Sequence, residues 1–385
     1  MILRLLLGMV LLGLAGCSWL PGSEEDNAEP PAELQPITAS EVTLRPLWKR
    51  DLGDGTGGQF IRLRPALDGG RLFAADNKGR VVAFEAESGA PLWSVETGIA
   101  VSGGVGVGEG LVLVGGDEAE VVALDWRDGS EVWRSTVSSE VLGAPAAAGG
   151  VVVVQSVDGN LTGLDAASGE RLWVFDRTVP VLSLRGTSSP VLVEGYAITG
   201  FASGKLVALE LKRGLPLWET AVAVPRGRSE LDRMVDIDSP PVVRGGLIYS
   251  VTYQGRVAAV QGGNGRLIWA RDMSSFAGLA VDFRQLYVSD ASSDIWALDR
   301  RNGAALWRQD ALHNRMITAP VVAGDQLAVG DFEGYLHLLS RSSGEIQARV
   351  RVDDAGILAP PVVDGDRLYV FGNGGTLAAY RVEPR

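Results

Sequence analysis

Asp236 and Asp238 stand two residues apart in DRMVDIDSPPVV (232–243), and Leu182, Leu184 and Arg185 stand together in LSLRGTSSPV (182–191). Two carboxylates at this spacing could share acid–base work, or they could accept a cation. Acid–base catalysis needs a nucleophile, a histidine or a metal set beside them. The chain has only two histidines, His313 and His337, and one cysteine, Cys17, and none is near either motif in sequence. The same residues suit a protein interface better. Arginine offers a flat fork of donors favoured at interfaces. The aspartates could fix Arg185 by charge-assisted bonds, merely ordering the loops, or meet a basic group of a partner. No catalytic residue and no metal ligand is assigned.

Other chemistry is weaker. One cysteine excludes an intrachain disulfide and a four-cysteine metal site. Two distant histidines disfavour a histidine-rich metal centre, and both read as structural. The stretch Gly53–Gly58 (GDGTGG) has dinucleotide-loop spacing, but that site needs a helix to follow, and FIRLRP (60–65) reads as strand. DLGDGTGG (51–58) also lacks the acid spacing of a calcium loop. With 35 Lys and Arg against 47 Asp and Glu, the net charge is −12. That balance argues against a nucleic-acid partner, which selects for basic excess.

The elements that must position these motifs are repeats. Tryptophan recurs at 48, 93, 133, 173, 218, 269 and 307, and the eighth equivalent position is Gln347. A spacing near 40–45 residues suggests propeller blades or helical repeats. Before each of the later positions comes a short alternating run, such as VVAFE (81–85), VVALD (121–125) or IWALD (295–299). Period-two alternation reads as strand. Each run enters a turn whose glycine (89, 129, 169, 214, 265, 303, 344) suits positive φ. Hairpins such as PPVVRGGLIYSVTY (240–253) lie upstream. Each unit is therefore four strands, and no 3.6-residue period proposes a helix.

The ends are informative. The last unit supplies three strands, and VTLRPLWKRD (42–51) is a lone fourth strand with its Trp. The fold expected is all-β: an eight-bladed β-propeller over 42–385, four antiparallel strands per blade, the last blade closed by the N-terminal strand. The Trp residues are expected to fill the layer between blades.

Links between blades locate the motifs. Trp133 to Pro145 is 12 residues and Trp307 to Pro320 is 13, whereas Trp173 to Pro190 is 17 and Trp218 to Pro240 is 22. The two long links are consecutive, so two enlarged loops should lie side by side on one face. Enlarged loops on a rigid scaffold are where binding tends to reside. The first carries Leu182, Leu184 and Arg185, and the second Asp236 and Asp238. Trp48 to Pro65 is also 17, with Arg62 and Arg64, and is read as lying further round the ring.

Residues 1–16 (MILRLLLGMVLLGLAG) read as a secretory signal peptide, one Arg before a short apolar run. Leu14-Ala15-Gly16-Cys17 resembles the bacterial lipobox, which implies removal of 1–16 and lipidation of Cys17. Ser18, not Asp, follows; by the same resemblance this sorts the protein to the outer membrane, lipid-anchored on the periplasmic face. Residues 17–41, rich in Pro, Ser and acid, should form a flexible tether.

The unit G-x-[VL]-x-A-[LF]-[DE]-x-x-[ST]-G-x-x-x-W resembles the pyrroloquinoline-quinone-type propeller repeat. One implication is a quinone-dependent dehydrogenase. Such enzymes are longer and use calcium and an adjacent-cysteine disulfide, which this chain cannot supply, so no cofactor is expected. A ligand-sensing propeller unrelated to assembly is a further alternative. A lipid-anchored chain of eight such repeats is similar instead to the outer-membrane protein assembly lipoprotein family. The resemblance implies a non-catalytic scaffold of the Bam complex. It would bind the periplasmic POTRA domains of the barrel-inserting subunit BamA, through Leu182, Leu184, Arg185, Asp236 and Asp238. It would also aid unfolded β-barrel precursors, whose extended strands could pair with blade edges.

Overall fold

The computed structural model describes residues 29–38 and 40–385. Cys17, the leader 1–16 and the first part of the expected tether lie outside the described residues. Short β-branched runs punctuated by glycine turns form 32 strands, with no helix among the described residues. The strands pair into eight four-stranded sheets. Blades one to seven span 66–96, 106–136, 146–175, 191–221, 242–272, 278–309 and 321–351. Blade eight joins 362–384 to the strand Val42–Asp51.

Burial differs between strands for a physical reason. The second and third strands of a blade are covered on both faces, so Val151–Gln155 (VVVVQ) is buried throughout. Adjacent blades pack face to face, and a strand between two such layers can be apolar at every position. The fourth strand lies at the rim and alternates, as in Pro91–Glu96 and Leu267–Asp272.

Tryptophan locks one blade to the next. Each indole N–H donates to a backbone carbonyl of the following blade: Trp48 to Ala86, Trp133 to Ala166 and Trp173 to Leu211, at 3.1, 2.9 and 2.9 Å. Each ring lies over the turn glycine of that blade. A Cβ added at Gly89, Gly169 or Gly214 would stand within 2.5–2.7 Å of the indole. The glycine is thus required twice, for its positive φ and for the ring above it.

This also accounts for Gln347. The blade after it is the eighth, where the third strand, Thr376–Pro384, ends the chain and the fourth is the N-terminal Val42–Asp51. No turn connects them, so no glycine is there to receive an indole. Closure runs in antiparallel register from Val42 against Pro384 to Asp51 against Thr376, with a bulge between Pro46 and Trp48.

Two expectations need correction. FIRLRP does not form a strand; the first strand of blade one begins at Ala66. The flexible reading of 17–41 fails over 32–35, within a compact unit formed by residues 31–385. The Ala32 N–H donates to the His313 carbonyl (2.9 Å), Arg315 donates to the Ala32 carbonyl (3.0 Å), and Arg349 to that of Gln35 (2.6 Å). Leu34 packs on the core shared by blades six and seven. Average composition missed one apolar side chain and two arginines that need acceptors.

Candidate functional site

The link between blades three and four and the link between blades four and five meet directly. Ile237 is buried against Gly200 of blade four, which fixes the carboxylates on either side of it. Asp236 Oδ1 accepts the Leu184 N–H at 3.1 Å. Asp238 lies against Gly186, where an added Cβ would stand 2.8 Å from the carboxyl carbon. Asp236 therefore holds the backbone of the other loop by a hydrogen bond, and Asp238 packs against it two residues on.

Both aspartates are buried, Asp236 at 1% and Asp238 at 9% exposure. Burial pushes Asp236 up to about 6, against the stabilising amide of Leu184. Burial, then the charge of Asp236, pushes Asp238 up to about 7, and Arg62 opposes the rise. Asp236 Oδ2 has no hydrogen-bond partner among the described residues. That unmet acceptor is buried, in keeping with the upward shift of the Asp236 pKa.

Arg185 does not bridge to these aspartates. Its guanidinium donates to Glu140 Oε1 at 2.7 Å, in the link between blades two and three, with the Arg side chain half exposed. The aspartates lie beneath the loop backbone, while Arg185 lies over it. Leu182 is exposed, Leu184 half-buried, and the neighbouring Val181 is 91% exposed. The second loop adds exposed Val224 and Leu231. A cavity of about 380 Å³ opens beside the first loop, walled by Glu140, Arg177, Leu184, Arg185 and Phe201. All five predicted site residues thus gather in one place, in two roles. Leu182 and Arg185 present surface, and the two aspartates build it, with Leu184 carrying the amide that joins the loops.

Glu140, Val181 and Arg62 were not singled out from sequence. Link length passes over Glu140, because its own link is short. Arg62, read as further round the ring, faces Asp238 and donates to the Phe276 carbonyl at 2.8 Å, in the link between blades five and six. In a closed ring, links on one face converge on the axis, so distance along the chain does not measure separation there.

The histidines serve the scaffold. His337 is fully buried, with Nε2 2.9 Å from Asp331, which also pairs with buried Arg315. Burial lowers the His337 pKa more than Asp331 raises it. His313 Nδ1 lies 2.9 Å from Asp294. Among the described residues, no three His, Cys, Asp or Glu side chains converge as a metal site.

Fold and site together define a closed eight-bladed propeller with two long links joined to each other. The model of the family described as outer membrane protein assembly factor BamB matches residues 39–99, 77–309 and 301–383. The outer membrane protein assembly factor BamB of Pseudomonas aeruginosa is 55% identical over 371 residues, covering 96% of each chain. That of Alkalilimnicola ehrlichii is 54% identical over 341 residues, covering 89% of each. The crystal structure of BamB from Moraxella catarrhalis superposes with a TM-score of 0.81 at 27% identity, covering 88% of this chain and 99% of that one. A quinohemoprotein alcohol dehydrogenase from Comamonas testosteroni, at 16% identity and a TM-score of 0.69, shares the fold. The chain belongs to the BamB family.

Proposed function

We propose that this chain is a non-catalytic scaffold of the outer-membrane β-barrel assembly machinery, docking on the periplasmic POTRA domains of BamA through the joined loops. As a member of the BamB family it functions in outer-membrane protein assembly. The observation that carries the docking reading is the Leu184–Asp236 bond. It makes one preorganised surface of two loops, so little ordering entropy is lost on binding. Leu182 and Arg185 are the contacts offered, and Asp236, buried beneath the loop, acts by holding the Leu184 amide. Lipidation at Cys17 holds the protein on the periplasmic face of the outer membrane.

The test is capture from detergent-solubilised outer membranes, comparing wild type with Arg185→Glu and with circular dichroism on both. The wild type brings down BamA and the folded mutant does not. Equal capture by both removes this surface from the interface.

A second role rests on the rim. The fourth strand of each blade is a sheet edge. In six blades the residue before the Trp is an exposed aliphatic: Leu92, Val132, Leu172, Leu217, Ile268 and Leu306. Such edges can pair with an extended β-barrel precursor. Crosslinkers placed at position 172 should capture unfolded precursor if this holds, and none if it does not.

A further inference from the structure

A cavity of about 770 Å³ lies within the ring, walled by residues of seven blades and, before the fourth, by Ser189 and Pro190 of the link. Its lining is mostly proline, valine and alanine, from the inner strands and the residues just before them, such as Pro65, Pro145, Pro240 and Val321. Among the described residues, four charged ones line it: Arg62, Arg64, Arg185 and Asp238. Three are cations, in a chain of net charge −12.

Arg62 and Arg64 are placed there by a local pattern. Ile61 and Leu63 are buried in the core at 2% exposure each, while Arg62 and Arg64 line the cavity. The backbone is held in that register. The Arg64 N–H donates to the Arg62 carbonyl (2.8 Å), and the Val105 N–H of the next link donates to the Arg64 carbonyl (3.0 Å).

Their charges are unevenly met. Arg185 is paired with Glu140. Arg62 donates to the Phe276 carbonyl and faces Asp238. The Arg64 guanidinium has neither an ion pair nor a hydrogen bond among the described residues. It is open to water within the cavity, yet the surrounding protein lowers its pKa below the usual arginine value, with no counter-charge opposing the shift. Burial also lowers Arg62, which only Asp238 resists. Two neighbouring cations thus share the lining with one carboxylate, and Arg64 has no counter-charge beside it. Neither contributes to the hydrophobic core, so the fold does not explain them.

We propose that the central cavity is a ligand site, in which Arg62 and Arg64 recognise the carboxylates of a small molecule whose apolar body lies along the proline and valine wall. The volume is that of a small-molecule site, and apolar walls with a few converging polar groups are its usual chemistry. Paired guanidinium forks match carboxylates in charge and in planarity. The Ser102, Ser189 and Ser239 residues in the same lining add hydroxyl groups for further polar contacts. The cavity borders the docking loops at Arg185 and Asp238, and Arg64, from the link before blade one, is the residue that belongs to the cavity and not to docking.

The test is isothermal titration of the full mature protein in detergent with naphthalene-2,6-dicarboxylate, a rigid dianion with an apolar body. Wild type should bind with a Kd in the micromolar to low-millimolar range, and Arg64→Ala should weaken it about tenfold or more. Lys212→Ala, which removes a cation outside the cavity, should leave binding unchanged. Asp238→Asn removes the one carboxylate facing Arg62 and should tighten binding at pH 8, which keeps the test open if Arg64→Ala misfolds. The dimethanol analogue of the probe should not bind. No heat from wild type up to about 10 mM, or equal affinity in wild type and folded Arg64→Ala, overturns the proposal.

Discussion

Asp238 shows how a residue can look like a contact and act as a support. Its folded pKa of about 7 lies well above the unfolded value of about 3.9, so the folded state holds the proton more tightly. The sign follows from linkage. Stability is greatest below about pH 4, falls as the pH rises through the interval to about 7, and is level above it. Asp238→Asn should therefore raise the melting temperature at pH 8 and lose that advantage near pH 4, by an upper bound of roughly 4 kcal/mol at the alkaline end. Melting curves at the two pH values check this; a lower melting temperature at pH 8 would mean that Arg62 holds Asp238 more strongly than burial opposes it. Arg185 is different. Its bridge to Glu140 is half exposed, and such pairs contribute about 0–1 kcal/mol. Arg185→Ala should leave the melting temperature almost unchanged while weakening BamA capture. Asp236→Ala should weaken capture too, by releasing the Leu184 amide, and should bring faster hydrogen exchange at 182–186.

At the scale of the element, the repeated unit is one tryptophan seated on the next blade's glycine. Two glycines of similar φ separate backbone strain from crowding. Gly246 has φ 75° with nothing within 4 Å of an added Cβ, whereas Gly169 has φ 71° and would meet the Trp133 ring at 2.7 Å. Gly246→Ala should cost about 1 kcal/mol, the usual penalty for Ala at positive φ. Gly169→Ala should cost about 1–3 kcal/mol more, because the indole must shift and strain its bond to Ala166. Urea unfolding of the two variants decides; equal costs would show that the indole yields freely. The tryptophan periodicity and the turn glycines were legible in the sequence because each repeat faces the same local problem. Which glycine serves which tryptophan was not, since the partners belong to different blades.

For the whole molecule, closure is the governing feature. Val42–Asp51 completes the eighth blade and removes the open ends a linear repeat array would carry. Deleting 42–51 leaves the Thr376–Pro384 strand with an unpaired edge. The variant should melt at lower temperature and self-associate through that edge, seen by sedimentation. A monomeric variant of unchanged melting temperature would show that seven complete blades suffice.

Sequence alone determined what depends on local pattern and on counting: strands, eight units, the three-plus-one closure, and the two long links that hold Leu182, Leu184, Arg185, Asp236 and Asp238. Alternation and repeat spacing are written along the chain, and so they can be read along it. Tertiary structure decided which groups meet. It set Arg185 on Glu140 instead of on the aspartates, turned Asp236 and Asp238 inward beneath a loop, brought Arg62 to Asp238 across the ring, and seated Leu34 on blades six and seven. Those pairings arise from the packing of neighbouring links and blades and, for Arg62 with Asp238, from ring closure, and no spacing along a chain encodes such distances.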